Sequence, residues 1–191
     1  MEKTKVLISG KNGFLMKNII KDYNWEVSSL IHCGKHNDQE LVLHFASPSD
    51  SEGFKETSRL VEANLLLTIA AVEESNRNKC KLVFASSMAV QEEKSEYSSL
   101  KEAAELYIKT YCKDYVILRI PRVYGKDRTK GLMKKIKDGT VDNYLDEVVQ
   151  YIDIEDFKEF FKDSLGKNGI ITYDKEFRKN TIKEIKDLYC E

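Results

Sequence analysis

Short, unbroken apolar runs, each followed by a longer amphipathic stretch, constrain this chain more than anything else in it. The runs fall at Lys5–Ser9, Glu26–Ile31, Glu40–Ser47 ("ELVLHFAS"), Lys81–Ser87 ("KLVFASS") and Tyr115–Pro121 ("YVILRIP"). Between them, apolar residues at helical spacing predict helices over Phe14–Tyr23, from Phe54 through Glu74, and over Ser99–Cys112. A strand with one solvated face alternates apolar and polar residues, whereas a strand apolar throughout is buried on both faces. Helical crossovers between such strands lay them parallel and cover both sides of the sheet. The prediction is an α/β fold with a doubly wound parallel sheet, whose ligands lie beyond the carboxyl ends of the strands.

After Pro121 the pattern changes to helices and short strands: "GLMKKIKDG", "VVQYIDIEDFKEFFKDSL", "GIITY" and "TIKEIKDLY". With only 2 prolines and no Ser/Gly-rich stretch there is no linker to separate this last third, and there is no internal repeat. At 191 residues, 41% hydrophobic and 33% charged, the chain fits one domain with a real core. Its 31 basic and 32 acidic residues nearly cancel, so no global field draws it to nucleic acid or an anionic membrane. The opening "MEKTKVLISG" lacks the apolar core and cleavage site of a signal peptide, and no run approaches a membrane span, which points to the cytoplasm. In that reducing compartment Cys33, Cys80, Cys112 and Cys190, with no Cys-x-x-Cys pair, are expected as free thiols. The cluster "HCGKH" (His32, Cys33, His36) has no second Cys/His pair to close a tetrahedral site, so no metal is expected.

Two segments carry candidate chemistry. Directly after the first strand comes "GKNGFLM", where Gly10 and Gly13 allow a tight turn and the approach of a pyrophosphate. Met16 stands where a third glycine would permit closer helix packing, and taken alone the turn suits a dinucleotide or no ligand at all. The second segment, "SSMAVQEEKSEYSSLKEAAE", sets Tyr97 four residues ahead of Lys101 and places Ser87 at the end of a strand, on the ligand edge. A phenol with a free pKa of about 10 is a poor base at neutral pH, and a lysine one helical turn away favours its ionised form. The same three residues also read as a Tyr/Lys pair on a solvated helix face.

Taken in order, seven motifs, three of them in these two segments, resemble the extended short-chain dehydrogenase/reductase family, the nucleotide-sugar epimerases and dehydratases. "KVLISGKNGFLM" resembles the family's glycine-rich opening, and "LVLHFASPSD" its fourth strand with a His-x-Ala-Ala-like end, here His44, Phe45, Ala46 and Ser47. "EANLLLTIAAVEES" is similar to its Asn-and-Thr helix (Asn64, Thr68), and "VFASSMAV" to the strand bearing the catalytic Ser/Thr, which by its offset from Val90 is Ser87. "YSSLKEAAE" matches Tyr-x-x-x-Lys with Glu105 four residues on, "LRIPRVYG" resembles an Arg-Pro-x-x-Val-Tyr-Gly strand end, and "VQYIDIEDF" a late segment carrying Asp156. The resemblance implies a Rossmann-like core over residues 1–125 and a reduced substrate region over 126–191 packed on the same domain. It implies Tyr97 as acid/base, Ser87 as its hydrogen-bonding partner and Lys101 as the group that lowers the tyrosine pKa and holds the nicotinamide ribose. The implied cofactor-binding residues are Gly10, Asn12, Gly13, Phe14, Leu15, His32, Lys35, Phe45, Ala46, Ser47, Asn64 and Pro121.

The departures from the family pattern narrow the reading. An acidic residue usually ends the second strand and binds the adenosine ribose; here Ile31 stands there, with His32 and Lys35 close by, which tilts the cofactor towards NADP while leaving NAD open. The 9 residues between Ile31 and Leu41 are too few for the usual strand and helix, so the sheet is short by an element. Met88 and Ala89 replace the Asp-Glu pair of the dehydratases, which disfavours dehydration. A 4-epimerase or keto-sugar reductase acting on a nucleotide-linked sugar remains, with a decarboxylase left open by "HFASP" and a non-catalytic dinucleotide sensor or scaffold as the alternative. The resemblance also implies a homodimer through Phe54–Glu74 and Ser99–Cys112, with Leu106, Tyr107 and Thr110 near the seam. The short loop "QEEKSE" leaves one geometric question, whether Tyr97 reaches Ser87.

Overall fold

The computed structural model describes residues 2–30, 36–47, 57–91, 94–141 and 145–190. Strands β1 (Thr4–Ser9), β2 (Trp25–Ser29), β3 (Leu41–His44), β4 (Lys81–Ser87), β5 (Tyr115–Ile120) and β8 (Gly169–Thr172) form a six-stranded sheet in the order β2-β1-β3-β4-β5-β8. Every pairing in it is parallel. The unbroken apolar runs are explained by burial on both faces, because successive side chains of a strand point to opposite sides. Val6, Ile8, Leu43, Val83 and Leu118 pack against Met16 and Ile19 of α1 (Phe14–Ile20) and Phe157 and Phe161 of α6 (Ile154–Ser164). On the other face Leu7, Val42, Leu82 and Ile117 meet Ala71 and Val72 of α3 (Leu67–Asn78) and Ala104 and Ile108 of α4 (Glu96–Tyr111).

Several boundaries differ from the sequence expectation for physical reasons. Strand β3 stops at His44 rather than Ser47, because the backbone of residues 45 and 46 turns to place both N–H groups on the Ser9 hydroxyl, at 3.2 Å each. The turn after β1 presses against that segment: a Cβ on Gly10, whose φ is +76°, would lie 2.7 Å from the backbone of Phe45 and Ala46. Only glycine fits there. The expected helix start at Phe54 lies outside the described residues; from Thr57 the chain runs as α2 (Thr57–Val61), a π-helical turn (Glu62–Leu66) and α3. Helix α4 begins three residues before the expected Ser99, because Ser95 and Ser98 cap it reciprocally: each hydroxyl accepts the other's backbone N–H, at 3.1 and 2.8 Å. That start puts Tyr97 inside the first turn.

The last third does not stand apart from the sheet. β6 (Val123–Tyr124), β7 (Val148–Asp153) and β9 (Arg178–Thr181) form a small three-stranded sheet. It is sealed by Met133 and Ile136 of α5 (Leu132–Lys137) and Ile182 and Ile185 of α7 (Ile182–Tyr189), around Tyr124 and Tyr151. Between these elements the chain returns to the main sheet twice, once as α6 on its face and once as β8 on its edge. No helix among the described residues is long and apolar enough to cross a membrane.

Candidate active site at the carboxyl edge of the sheet

The carboxyl ends of β1, β3 and β4 bring Ser9, His44 with Ser47, and Ser87 to one edge, and the first turn of α4 adds Tyr97. Tyr97 reaches Ser87 despite the short loop. Residues Met88–Gln91 coil into a 3-10 turn that starts at the strand end, with the Ala89 N–H donating to Ser87 Oγ at 3.2 Å. Tyr97 comes near enough to the side chains of Ser47 and Ser87 for both to favour its ionised form. The expectation that Lys101 lowers the tyrosine pKa does not hold: burial pushes it above the ordinary phenol value, and the groups pulling the other way are the two serines and the Arg128 charge.

One turn along α4, Lys101 is buried at 1% exposure, donates to the Ala85 carbonyl at 2.7 Å and lies 5.8 Å from the Tyr97 ring centroid. Burial lowers its pKa to about 7, against the opposing charge of Glu105. A lysine so placed has its charge transition near neutrality and keeps further donors for a ligand. Glu105 is itself anchored, accepting from Arg119 Nε at 3.0 Å and Nη2 at 2.7 Å, and from the Ser86 hydroxyl. The serine pair therefore divides its work: Ser86 ties β4 to α4, and Ser87 faces Tyr97.

A second polar chain runs beneath the site. Ser9 Oγ accepts the N–H groups of Phe45 and Ala46, so its own proton goes to His44 Nδ1, 2.6 Å away. The histidine proton then sits on Nε2 and is donated to Thr68 Oγ1 at 2.9 Å, while Thr68 donates to the Asn64 carbonyl at 2.8 Å. Complete burial drives the His44 pKa down to about 3, consistent with this neutral tautomer. The Asn64 side chain is fixed by its N–H donation to the Leu60 carbonyl at 2.9 Å, within the π-helical region. Its Oδ1 accepts from Ser47 Oγ at 3.4 Å, which joins the chain to Tyr97.

The remaining implied residues divide. Gly10 and Gly13 close a tight turn (Gly13 N–H to Gly10 carbonyl, 2.8 Å) whose residues Lys11, Asn12 and Gly13 are exposed. Phe14 and Leu15 are half-buried against the core, as is Phe45, whose ring meets Phe161 edge-on at 5.9 Å. Pro121 is half-buried just past β5. His32 and Lys35 lie outside the described residues. Asp156 caps α6, accepting the Asp153 N–H at 3.1 Å, and pairs with Arg178.

Two groups escaped the sequence reading. Arg119 lay inside a recognised segment but was given no role there. Arg128 had no pattern around it, yet its guanidinium stacks 5.4 Å from the Phe14 ring centroid, donates to the Val123 carbonyl at 2.7 Å and acts electrostatically on Tyr97 and Tyr124. It has no carboxylate partner among the described residues, and burial lowers its pKa. The Tyr124 hydroxyl beside it is buried with no hydrogen-bond partner.

With this geometry in view, residues 26–157 match the model of the NAD dependent epimerase/dehydratase family. Among curated proteins no sequence matches. Among solved structures the chain is similar to a UDP-N-acetylglucosamine 4-epimerase from Methanobrevibacter ruminantium in complex with UDP-N-acetylmuramic acid (TM-score 0.77, 19% identity, 98% of this chain and 81% of that one). It is similar also to the dTDP-4-dehydrorhamnose reductase of Bacillus anthracis in complex with NADP (TM-score 0.76, 16% identity, 98% and 81%). A third is the UDP-glucose 4-epimerase of Thermotoga maritima with UDP-glucose (TM-score 0.74, 16% identity, 96% and 81%). At these identities the likeness shows the fold.

Proposed function

This chain belongs to the NAD-dependent epimerase/dehydratase family, and on that premise we propose that it is an NAD(P)-dependent epimerase or reductase of a nucleotide-linked sugar, acting in the cytoplasm. The observation that carries the reading is the gathering of Ser87, at the end of β4, and Tyr97, in the first turn of α4, at one sheet edge, with Lys101 one helical turn behind and 5.8 Å from the Tyr97 ring. A sensor or scaffold has no need of a buried lysine poised near neutrality against a buried phenol.

The residues present fit a nicotinamide dinucleotide. The exposed Gly10–Gly13 turn would take its phosphates, Lys101 its ribose, and the segment with His32 and Lys35 a 2′-phosphate, which favours NADP. When bound, the dinucleotide supplies the hydride acceptor or donor. Tyr97 takes the proton from the sugar hydroxyl as the ketone forms, or returns it on reduction, and Ser87 hydrogen-bonds the same oxygen. Lys101 supplies positive charge beside the developing phenolate. Dehydration is not part of the proposal, because Met88 and Ala89 sit in the 3-10 turn where that chemistry would need acid groups.

The exposed Leu66 (50%), Leu106 (61%) and Tyr111 (59%) of the helical layer support a homodimer through this face, within which the Tyr107 and Tyr111 rings meet at a tilt, 4.7 Å apart. The experiment is to incubate the protein with UDP-glucose, UDP-N-acetylglucosamine or dTDP-4-dehydrorhamnose and with NAD, NADH or NADPH. Consumption of reduced nicotinamide in proportion to product identifies a reductase; product without net consumption identifies an epimerase. Failure to bind any nicotinamide dinucleotide would remove the proposal.

A further inference from the structure

At the end of β6 the folded chain leaves donors unused. Arg128 Nη1 donates to the Val123 carbonyl at 2.7 Å, which is the one hydrogen bond its guanidinium makes among the described residues. Nε and Nη2 are left over, and no carboxylate among those residues pairs with the charge. The position is fixed all the same. The Arg128 N–H closes a turn on the Gly125 carbonyl at 3.1 Å, and the guanidinium lies 5.4 Å from the centroid of the Phe14 ring, which itself packs so close to Gly125 that a Cβ there would meet it at 3.0 Å. Phe14 directly follows the exposed Gly10–Gly13 turn. On the same short strand Tyr124 is buried at 3% exposure, its ring stacked on Tyr151 at 4.7 Å, and its hydroxyl has no hydrogen-bond partner. The ionic charges acting on that hydroxyl come from Arg122 and Arg128, both positive. A buried hydroxyl without a partner and a half-buried cation without a counter-charge each cost the fold stability.

We propose that Arg128 and Tyr124 bind a phosphate group of a nucleotide ligand, the arginine as a charged fork and the tyrosine hydroxyl as a further donor. Both groups offer protons and neither needs one, so the missing partner is an acceptor, and the unbalanced positive charge makes it an anion. Arg128 Nε and Nη2 with the Tyr124 hydroxyl are three donors, which suit the several oxygens of a phosphate better than the two of a carboxylate. The functional reading brings two sources of that chemistry to this edge, the diphosphate of the dinucleotide and the diphosphate of the sugar nucleotide. Arg128 and Tyr124 belong to the small-sheet side and Phe14 to the main sheet, so a phosphate held here ties the two together.

The site rests on the nucleotide-binding reading above, and its test keeps the two apart. Affinities for NADPH, UDP and dTDP are measured by calorimetric titration in the wild type, Arg128→Met, Arg128→Lys and Tyr124→Phe, together with thermal unfolding of each protein free of nucleotide. Arg128→Met is expected to lose about 10- to 100-fold in affinity, the worth of hydrogen bonds to a charged group. Arg128→Lys, which keeps the charge but not the fork, is expected to lose less. Tyr124→Phe is expected to lose about ten-fold for the same nucleotide, while the free protein unfolds at the same temperature or higher, because a buried hydroxyl without a partner has been removed. A merely structural role would do the reverse, lowering the unfolding temperature and sparing the affinity. A loss confined to NADPH assigns the dinucleotide's phosphates to the site, and a loss confined to UDP or dTDP assigns the sugar nucleotide's. Unchanged affinity in Arg128→Met or Tyr124→Phe, or equal losses for NADPH and the nucleoside diphosphates, would overturn the site while the nucleotide-binding reading stood. A wild type that bound none of the three would remove both.

Discussion

The two sheets of this molecule handle polarity in opposite ways. The six-stranded sheet is apolar on both faces along its length and turns polar at its carboxyl edge, where Ser9, His44, Asn64, Thr68, Ser86, Lys101 and Glu105 are all buried. The three-stranded sheet is apolar on one face only: along β7 exposed Val148 and Gln150 alternate with buried Val149 and Tyr151. Each buried polar group in the first region has to be hydrogen-bonded or it costs stability, and the partners above show that nearly every one is. A fold that concentrates buried polar groups at one edge is holding side chains in place there. The second sheet supplies a packed support from which Tyr124 and Arg128 face that edge.

The comparison can be pressed hardest at the Glu105–Arg119 pair. Arg119→Ala leaves a carboxylate at 3% exposure without its bidentate partner, and thermal or denaturant unfolding is expected to show a loss of about 3–5 kcal/mol. Replacing both, as Glu105→Leu with Arg119→Met, is expected to recover most of it. A double variant as unstable as the single one would contradict the account.

His44 gives the next effect. Its pKa is about 3 in the folded protein against 6.5 for the free side chain, so the unfolded chain takes up the proton first. The folded state is fully supported above about pH 6.5 and loses stability as pH falls towards 3, by an amount on the order of a few kcal/mol. His44→Gln is expected to flatten that acid limb in stability measured against pH. An unchanged limb would assign the acid sensitivity elsewhere.

Lys101 gives an effect of the same sign in a higher pH window. Its pKa of about 7, against 10.5 for the free side chain, means that the unfolded chain binds the proton more tightly between those values. Burial therefore penalises the fold at and below neutral pH, and stability rises between pH 7 and 10.5. Lys101→Met is expected to raise stability at pH 7 by on the order of 1–2 kcal/mol while lowering activity, a residue kept for function at the fold's expense. At the small end, Val148→Thr on the exposed face of β7 is expected to stay within about 0.5 kcal/mol of the wild type. A larger loss would mean that this face is covered.

The same contrast explains what the sequence made legible. Unbroken apolar runs marked all five early strands, and Gly10, Ser87, Tyr97 and Lys101 stood in patterns tied to a strand end or a helix start. The capping of α4 was missed because Ser95–Ser98 is a serine–serine box, without the glutamate that usually signals one. Strand β9, "RKNT", has no apolar residue and exists only through pairing with β7. The π-helical turn at Glu62–Leu66 carries no periodic mark, and neither does Arg128, whose place depends on a turn closed by the Arg128 N–H on the Gly125 carbonyl at 3.1 Å. Periodicity reports burial on regular elements; loop residues that meet only in the folded chain leave no trace in it.

The central claim is that Tyr97 moves the proton. Its most direct test is the turnover of the sugar nucleotide by wild type and Tyr97→Phe with the dinucleotide in excess, alongside its affinity for each protein. A fall of about 10²- to 10⁴-fold in turnover with dinucleotide affinity unchanged is the expected result. Equal turnover by the two proteins would contradict it.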